Sequence, residues 1–163
     1  FQSLATGHGG LCTMHADDAE TAIKRLTQPP MNIPDSIIPL MNSIILVKHV
    51  KAPALAQFGK KISKRKFVKV SEIDSSRKIR DIFVWDSMED TYKENLSESH
   101  IFSRIADRWS MPVEYVYEEF ERRKDILYYL TEMNLRSYSD IDKFLNKFYS
   151  DPKQAYQQIF RRK

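Results

Sequence analysis

The sequence contains one cysteine, four glycines and no long apolar run. A single cysteine, Cys12, excludes an internal disulfide and a multi-cysteine metal site, which is typical of a reducing compartment. The apolar runs, such as Ile44–Val47, are far shorter than the ~20 residues that a membrane-spanning helix needs. The N-terminus also lacks the basic-then-apolar pattern of a signal peptide. We therefore expect a folded, soluble protein whose contact with any membrane is peripheral.

The charged residues are unevenly distributed along the chain. Residues 48–80 hold eleven Lys or Arg against Glu72 and Asp74, a net charge of +9. Residues 81–98 hold six acids against Lys93, a net charge of −5. A basic block beside an acidic one indicates contact with phosphate, nucleic acid, anionic lipid or a neighbouring subunit. Alternatively, these charged residues simply lie on loops and strand faces that are exposed to solvent.

The first part of the chain alternates predicted strands and helices, which favours an α/β fold with a mainly parallel sheet. Turn signals flank the apolar run Leu11–Met14, which predicts a buried strand with Cys12 packed in it. An acidic N-cap then predicts a helix that a proline pair must end. These elements are the run 10–15, a helix from Asp18 to Pro29, a short helix at Asp35–Met41 and a strand at Ile44–Val50.

Hairpins and then helices are predicted for the rest of the chain. Three short strands fall around Phe67–Val70, Ile79–Trp85 and Tyr92. Four amphipathic helices follow, which can pack as a small bundle. They begin at Ser97, after Pro112, at Ser137 and at Asp151-Pro152. The apolar stripe of the second helix is formed by Val113, Val116, Tyr117, Phe120, Leu127 and Leu130. We therefore predict two regions, residues 1–94 and 95–163.

The segment from Thr6 to Ala19 has the composition of a ligand-binding loop. Three of the four glycines lie between Gly7 and Gly10, where they free the backbone to approach an anion. His8 and His15 flank the predicted strand, and each imidazole can donate a hydrogen bond to a phosphate oxygen. The alternative is that both cap backbone carbonyls. Two histidines lack the remaining ligands of a zinc site, so no metal site is expected.

This segment also carries a family resemblance. The stretch TGHGGLCTMHADDAETAIKRL resembles the histidine box of the secretion ATPases, which include type II secretion, type IV pilus, archaellum and type IV secretion motors. Three later stretches resemble the C-terminal region of the archaeal members: FVWDSMEDTYKE, RIADRWSMPVEYVYEEFERRKDILYYL and FYSDPKQAY. The resemblance covers nearly the whole chain and is strongest at residues 5–26 and 82–155.

The resemblance implies a RecA-like α/β core that works as a homo-hexamer, with ATP and Mg²⁺ bound between subunits. ATP hydrolysis would power secretion or the assembly of pili or archaella. It implies that His8 and His15 lie near the nucleotide phosphates as catalytic residues, and that Thr6 and Gly7 shape the nucleotide-binding loop around His8. It further implies a polytopic membrane platform protein as partner, no nucleic-acid partner, and a cytoplasmic location at the inner face of the cell membrane.

The chain lacks the P-loop of these ATPases. A P-loop needs GxxxxGK[ST], but Gly59-Lys60 has Ala54 at the first glycine position and Lys61 where Ser or Thr should follow. In the family order the P-loop and the magnesium-binding acids come earlier in the chain. We therefore expect a fragment, the C-terminal portion of a RecA-like core followed by a helical bundle, which neither binds ATP tightly nor hydrolyses it alone.

Arg77 and Arg80 are candidate phosphate contacts across a subunit boundary, because arginine makes bidentate contacts that lysine cannot. Alternatively, the basic block directs the protein to anionic lipid or to the platform protein.

Two other classes of function remain open. Residues 97–133 match a helix-turn-helix, although Glu114, Glu118, Glu119 and Glu121 would repel DNA phosphates. Alternatively, the helical region serves only as a docking module for partner proteins. Its exposed aromatic anchors would be Tyr115, Tyr128, Tyr129 and Tyr138.

Overall fold

The computed structural model describes residues 1–51 and 63–160, which form two compact units. The first unit comprises residues 1–101 and the second residues 102–163. The sequence places the division after Glu94, where the last strand ends. Seven further residues belong to the first unit, because a short 3-10 turn and the start of the next helix contact the sheet.

A four-stranded antiparallel sheet forms the centre of the first unit. Its order is β1-β2-β3-β4, and every neighbouring pair is antiparallel. The strands predicted between Ile44 and Tyr92 are confirmed, but the expected parallel sheet is wrong for the described strands. Tight turns join β2 to β3 and β3 to β4, and only antiparallel strands can be joined so closely. The strands are Ser43–Lys51, Ser63–Ile73, Ile79–Asp86 and Thr91–Glu94.

One face of the sheet packs against two short helices. Helix α2, Ala19–Thr27, begins where Asp18 accepts a hydrogen bond from the Thr21 amide at 2.7 Å, as its N-cap sequence predicts. Leu26 of this helix is buried against Ile38 and Ile73. Ile38 belongs to the predicted helix at Asp35–Met41, which is a 3-10 helix with Pro39 inside it. The local signals therefore located both helices.

The predicted buried strand at residues 10–15 is wrong. These residues form neither helix nor strand, and Leu11 and Cys12 are both exposed. The expected packing of Cys12 is wrong for the same reason. A strand is stable only beside another strand, and β1, the next strand along the chain, pairs with β2 alone among the described residues. The apolar pattern was therefore not sufficient to place this segment in the sheet.

The second unit is helical. Its core is formed by Ile126, Leu130, Phe148 and Ala155, with Tyr129, Leu135, Phe144 and Tyr156 packed around them. The four predicted helices are present as α3 (His100–Trp109), α4 (Val113–Glu132), α5 (Tyr138–Ser150) and α6 (Pro152–Phe160). Helix α3 starts in the first unit, and a four-residue helix α1, Gln2–Ala5, begins the chain.

Two details of the predicted helices differ. Ser97 does not begin α3 but lies in the 3-10 turn Leu96–Glu98. Leu127, predicted on the apolar stripe of α4, has a relative exposure of 64%, whereas its neighbour Ile126 is buried. An α-helix has 3.6 residues per turn. Over the twenty residues of α4, the positions that face the core therefore shift gradually around the helix axis. Within the described ranges, no helix is long and apolar enough to cross a bilayer.

Candidate functional site

The Thr6-Gly7-His8 turn lies directly after α1 and exposes its imidazole. Gly7 has φ +87°, in the region that favours glycine. The His8 amide donates to the Ser3 carbonyl at 3.0 Å, which fixes the backbone of the turn. The Thr6 hydroxyl lies 2.9 Å from the same carbonyl and 3.0 Å from Nδ1 of His8. Backbone and side chain together therefore orient the His8 ring.

The shared Thr6 hydroxyl decides which His8 nitrogen donates. A hydroxyl carries one proton, and when that proton is donated to the Ser3 carbonyl, Nδ1 of His8 must donate to the Thr6 oxygen. Neutral His8 then has its proton on Nδ1 and an acceptor lone pair on Nε2. Protonated His8 donates from both nitrogens. An anion at Nε2 is therefore recognised by the protonated ring only.

His15 has different surroundings from His8. Its backbone carbonyl accepts a hydrogen bond from the Arg25 guanidinium at 2.6 Å. Arg25 lies in the last turn of α2, so this bond ties the end of the exposed segment back to the helix. The side chain of His15 is exposed. Thr6, Gly7 and His8 thus lie in one turn. His15 is separated from that turn by the segment of residues 9–14.

Arg77 and Arg80 both take part in ion pairs within the first unit. Nη1 of Arg77 is 2.7 Å from a carboxylate oxygen of Asp35, and Arg77 adopts a left-handed backbone, φ 67°. Arg80 pairs with Asp74, and both side chains are mostly buried. Asp74 also accepts from the Ser76 amide and the Lys78 amide, both at 2.9 Å. A phosphate would compete with carboxylates already bound at both arginines.

The β2–β3 turn depends on the ionised Asp74. Hydrogen bonds from the Ser76 hydroxyl, the Arg80 side chain and the backbone amides of Lys78 and Ser76 outweigh desolvation and hold the pKa of Asp74 well below its ordinary value. These contacts are satisfied only by the charged carboxylate. Asp74 is therefore a structural acid.

Sequence reasoning missed a polar cluster on β2 and β3. Lys69 lies 2.7 Å from Asp81, which accepts from the Ser71 hydroxyl at 2.7 Å. The hydrogen bond to Asp81 raises the pKa of Lys69, and the negative charges of Glu20 and Asp18 add to this effect. Burial alone would raise the pKa of Asp81, but the hydrogen bonds from Lys69 and Ser71 lower it. The alternation Lys69-Val70-Ser71 was the available signal, because it places the two polar side chains on one face.

A second cluster missed by sequence reasoning surrounds Glu72. The side chain of Glu72 is 7% exposed, and its carboxylate accepts from the Ser99 hydroxyl at 2.7 Å and from the Ile101 amide at 3.1 Å. Nδ1 of His100 lies 3.0 Å from the same carboxylate. The ring is not oriented for a hydrogen bond, and neither of its nitrogens has such a partner among the described residues. Glu72 thus caps the first turn of α3.

The remaining sequence candidates lie in the second unit. Tyr138, Tyr128 and Tyr115 are exposed, whereas Tyr129 packs against Phe144 with 5.5 Å between ring centroids. Three acids of α4 form ion pairs along their own helix: Glu118 with Arg122, Glu119 with Arg123, and Glu121 with Lys124. Both helices considered for DNA binding are therefore present, and three of the four acids named there are already paired to cations.

No three His, Cys, Asp or Glu side chains are grouped to hold a metal ion within residues 1–51 and 63–160. The described residues therefore do not fit a Mg²⁺ site.

Comparison with known proteins gives two relatives of uncharacterized function. No family model matches the chain. The uncharacterized protein MJ1287 of Methanocaldococcus jannaschii is 30% identical over 130 residues, which is 78% of this chain and 46% of that protein. The uncharacterized protein MJ0781 of the same organism is 26% identical over 155 residues, 90% of this chain and 20% of that protein. The chain thus spans about half of one relative and a fifth of the other.

Proposed function

We propose that the chain is the C-terminal part of a RecA-like, hexameric ATPase that powers secretion or the assembly of pili or archaella. The Thr6-Gly7-His8 turn is the observation that carries this proposal. It opens the stretch that resembles a histidine box, and it presents an exposed imidazole whose Nδ1 lies 3.0 Å from a hydroxyl.

His8 would contribute by stabilising negative charge. Phosphoryl transfer is accelerated by donors aimed at the charge on the transferred group. With Nδ1 engaged by Thr6, protonated His8 donates Nε2–H to a phosphate oxygen. His15 is the second such donor in the proposal. The salt-bridged arginines Arg77 and Arg80 would first have to exchange a carboxylate for a phosphate.

The hexamer, the polytopic platform protein and the position at the inner face of the cell membrane form part of the same proposal. Their support is the resemblance of residues 82–155 to the C-terminal region of archaeal motors. In this proposal the nucleotide-binding P-loop and the Mg²⁺ ligands are supplied by sequence outside the chain.

Sequencing the gene upstream of Phe1 and assaying the longer protein would test the proposal. We expect a GxxxxGK[ST] motif roughly a hundred residues upstream and Mg-ATP hydrolysis by the longer protein. His8→Ala and His15→Ala should each lower kcat by about a hundredfold, the usual effect of removing one transition-state donor. His49→Ala is the matched control and should leave kcat unchanged.

Three results would contradict the proposal. They are the absence of an upstream P-loop, unchanged turnover in both histidine variants, and Mg-ATP hydrolysis by residues 1–163 alone.

A further inference from the structure

The four histidines of the chain differ in which ring nitrogen is open to a reagent. Both ring nitrogens of His100 are buried. Nε2 of His49 accepts a hydrogen bond from the Arg65 side chain at 3.2 Å, so its lone pair is occupied. His8 and His15 are exposed, which makes their two rings the candidates for chemistry at a nitrogen lone pair.

Thr6 distinguishes the His8 ring from the His15 ring. The Thr6 hydroxyl donates to the Ser3 carbonyl at 2.9 Å and lies 3.0 Å from Nδ1 of His8. Neutral His8 therefore holds its proton on Nδ1, facing the Thr6 oxygen, and carries its lone pair on Nε2. The hydrogen bond at His15 is made by its backbone carbonyl. Among the described residues, no hydrogen bond or ion pair fixes the proton of the His15 ring on one nitrogen.

The turn is also open around His8. A Cβ added at Gly7 or at Gly9 would meet no atom within 4 Å, so the residues on either side of His8 are not crowded by the rest of the chain. The hydrogen bond from the His8 amide to the Ser3 carbonyl holds the backbone below the ring. An uncharged, oriented imidazole with an exposed lone pair is a nucleophile.

We propose that neutral His8 is a phosphoryl-acceptor site, modified at Nε2 by a small donor such as phosphoramidate or an acyl phosphate. The Nε2 lone pair forms a bond to phosphorus while the bond from phosphorus to the donor's nitrogen or oxygen breaks. The leaving group takes that electron pair. Phosphoramidate carries its protons on nitrogen and so releases neutral ammonia, whereas an acyl phosphate releases a carboxylate. The ring keeps its Nδ1 proton and becomes a cation, so Thr6 continues to accept that hydrogen bond.

This acceptor role does not rest on the proposed ATPase function. In that function Nε2 of His8 donates to a phosphate oxygen, and a ring phosphorylated at Nε2 has no proton there to donate. Phosphorylation of His8 would therefore lower turnover of the ATPase, and this consequence alone rests on the proposed function.

Treating residues 1–163 with phosphoramidate tests the inference. Peptide mass spectrometry at neutral pH locates the modified histidines, and NMR of the nitrogen-labelled rings shows which nitrogen is bound to phosphorus. We expect His8 to be modified faster than His49 and His100. The ratio of Nε2 product to Nδ1 product should be about fivefold higher at His8 than at His15, the effect of one net hydrogen bond on the two tautomers.

Substitutions at Thr6 separate the role of its hydroxyl from simple exposure of the ring. Thr6→Ala removes the hydroxyl, and the product ratio at His8 should fall to that at His15. Thr6→Ser retains the hydroxyl and should retain the ratio of the unsubstituted chain. Thr131→Ala removes an exposed hydroxyl in the second unit and should leave the ratio unchanged. Circular dichroism verifies that each variant is folded.

Equal product ratios at His8 and His15 in the unsubstituted chain would overturn the inference. No reaction at His8, slower reaction there than at His49 or His100, or an unchanged ratio in Thr6→Ala would also overturn it. All these outcomes are read on residues 1–163 without ATP. Failure of the proposed function is seen separately, in the absence of an upstream P-loop or of Mg-ATP hydrolysis by the longer protein.

Discussion

The carboxylate of Glu72 accepts a hydrogen bond from the Ser99 hydroxyl at 2.7 Å, although the two residues are 27 positions apart in the chain. The same carboxylate accepts from the Ile101 amide at 3.1 Å. An amide in the first turn of a helix has no partner within the helix. One buried acid on β2 therefore fixes the start of α3 to the sheet.

Glu72→Ala should destabilise the first unit by about 2–4 kcal/mol, because it leaves buried donors without an acceptor. Amide hydrogen exchange at Ile101 should become fast, since Glu72 is its acceptor. Glu98→Ala removes an exposed acid from the adjacent turn and should change stability by less than about 0.5 kcal/mol. An Ile101 amide that stays protected in Glu72→Ala would contradict this role.

Asp74 should make the sheet sensitive to acid. Its pKa is lowered by the Ser76 hydroxyl and the other donors of the β2–β3 turn. A carboxyl with a lowered folded-state pKa stabilises the fold above its unfolded pKa, and this contribution is lost as the pH falls through the folded value. Urea unfolding should therefore show stability falling from about pH 4 downward.

Asp74→Asn should weaken this dependence, giving a shallower decline of stability below about pH 4. Glu94→Gln, at an exposed position on β4, is the control and should keep the decline of the unmodified chain. An unchanged slope in Asp74→Asn would show that the turn does not require the charge.

Thr6 should set the tautomer of His8 in the isolated chain. The hydrogen-bond pattern predicts a neutral ring protonated on Nδ1, which the nitrogen chemical shifts of the labelled imidazole report. Thr6→Val keeps the shape of the side chain without the hydroxyl, and the proton should redistribute towards Nε2. Thr6→Ser retains the hydroxyl and should retain the tautomer. Identical shifts in all three proteins would disprove the proposed orientation.

Cys12 should react rapidly with a thiol reagent in the folded protein, because its side chain is exposed. We expect one thiol modified per chain in native buffer, at a rate close to that in denaturant. Cys12→Ser should abolish the signal. Slow modification that accelerates on unfolding would instead support the buried strand predicted from the sequence.

The elements that sequence located correctly have local causes. Asp18 caps α2 through an amide only three residues away, and the prolines that follow end the helix. Ser137 caps α5 in the same way, accepting from the Asp140 amide at 3.1 Å. Such signals lie within one turn of the chain and need no knowledge of the fold.

The errors concern partners distant in sequence. An apolar run such as Leu11–Met14 fits a strand, but only a neighbouring strand makes it one. The pairing of Arg77 with Asp35 spans 42 positions, and no local pattern predicts it. For the candidate site, sequence located the Thr6-Gly7-His8 turn because its contacts are local, whereas the clusters at Asp81 and Glu72 depend on strand register.

Strand β1 is also the edge of the described sheet, and an edge strand offers unpaired backbone groups to any other strand. Its second half carries Lys48, His49 and Lys51. Charged edge residues, lysine above all, discourage strand addition by another copy. Lys48 and Lys51 should therefore protect the chain against aggregation, and replacing both with neutral residues would favour association of two copies through this edge.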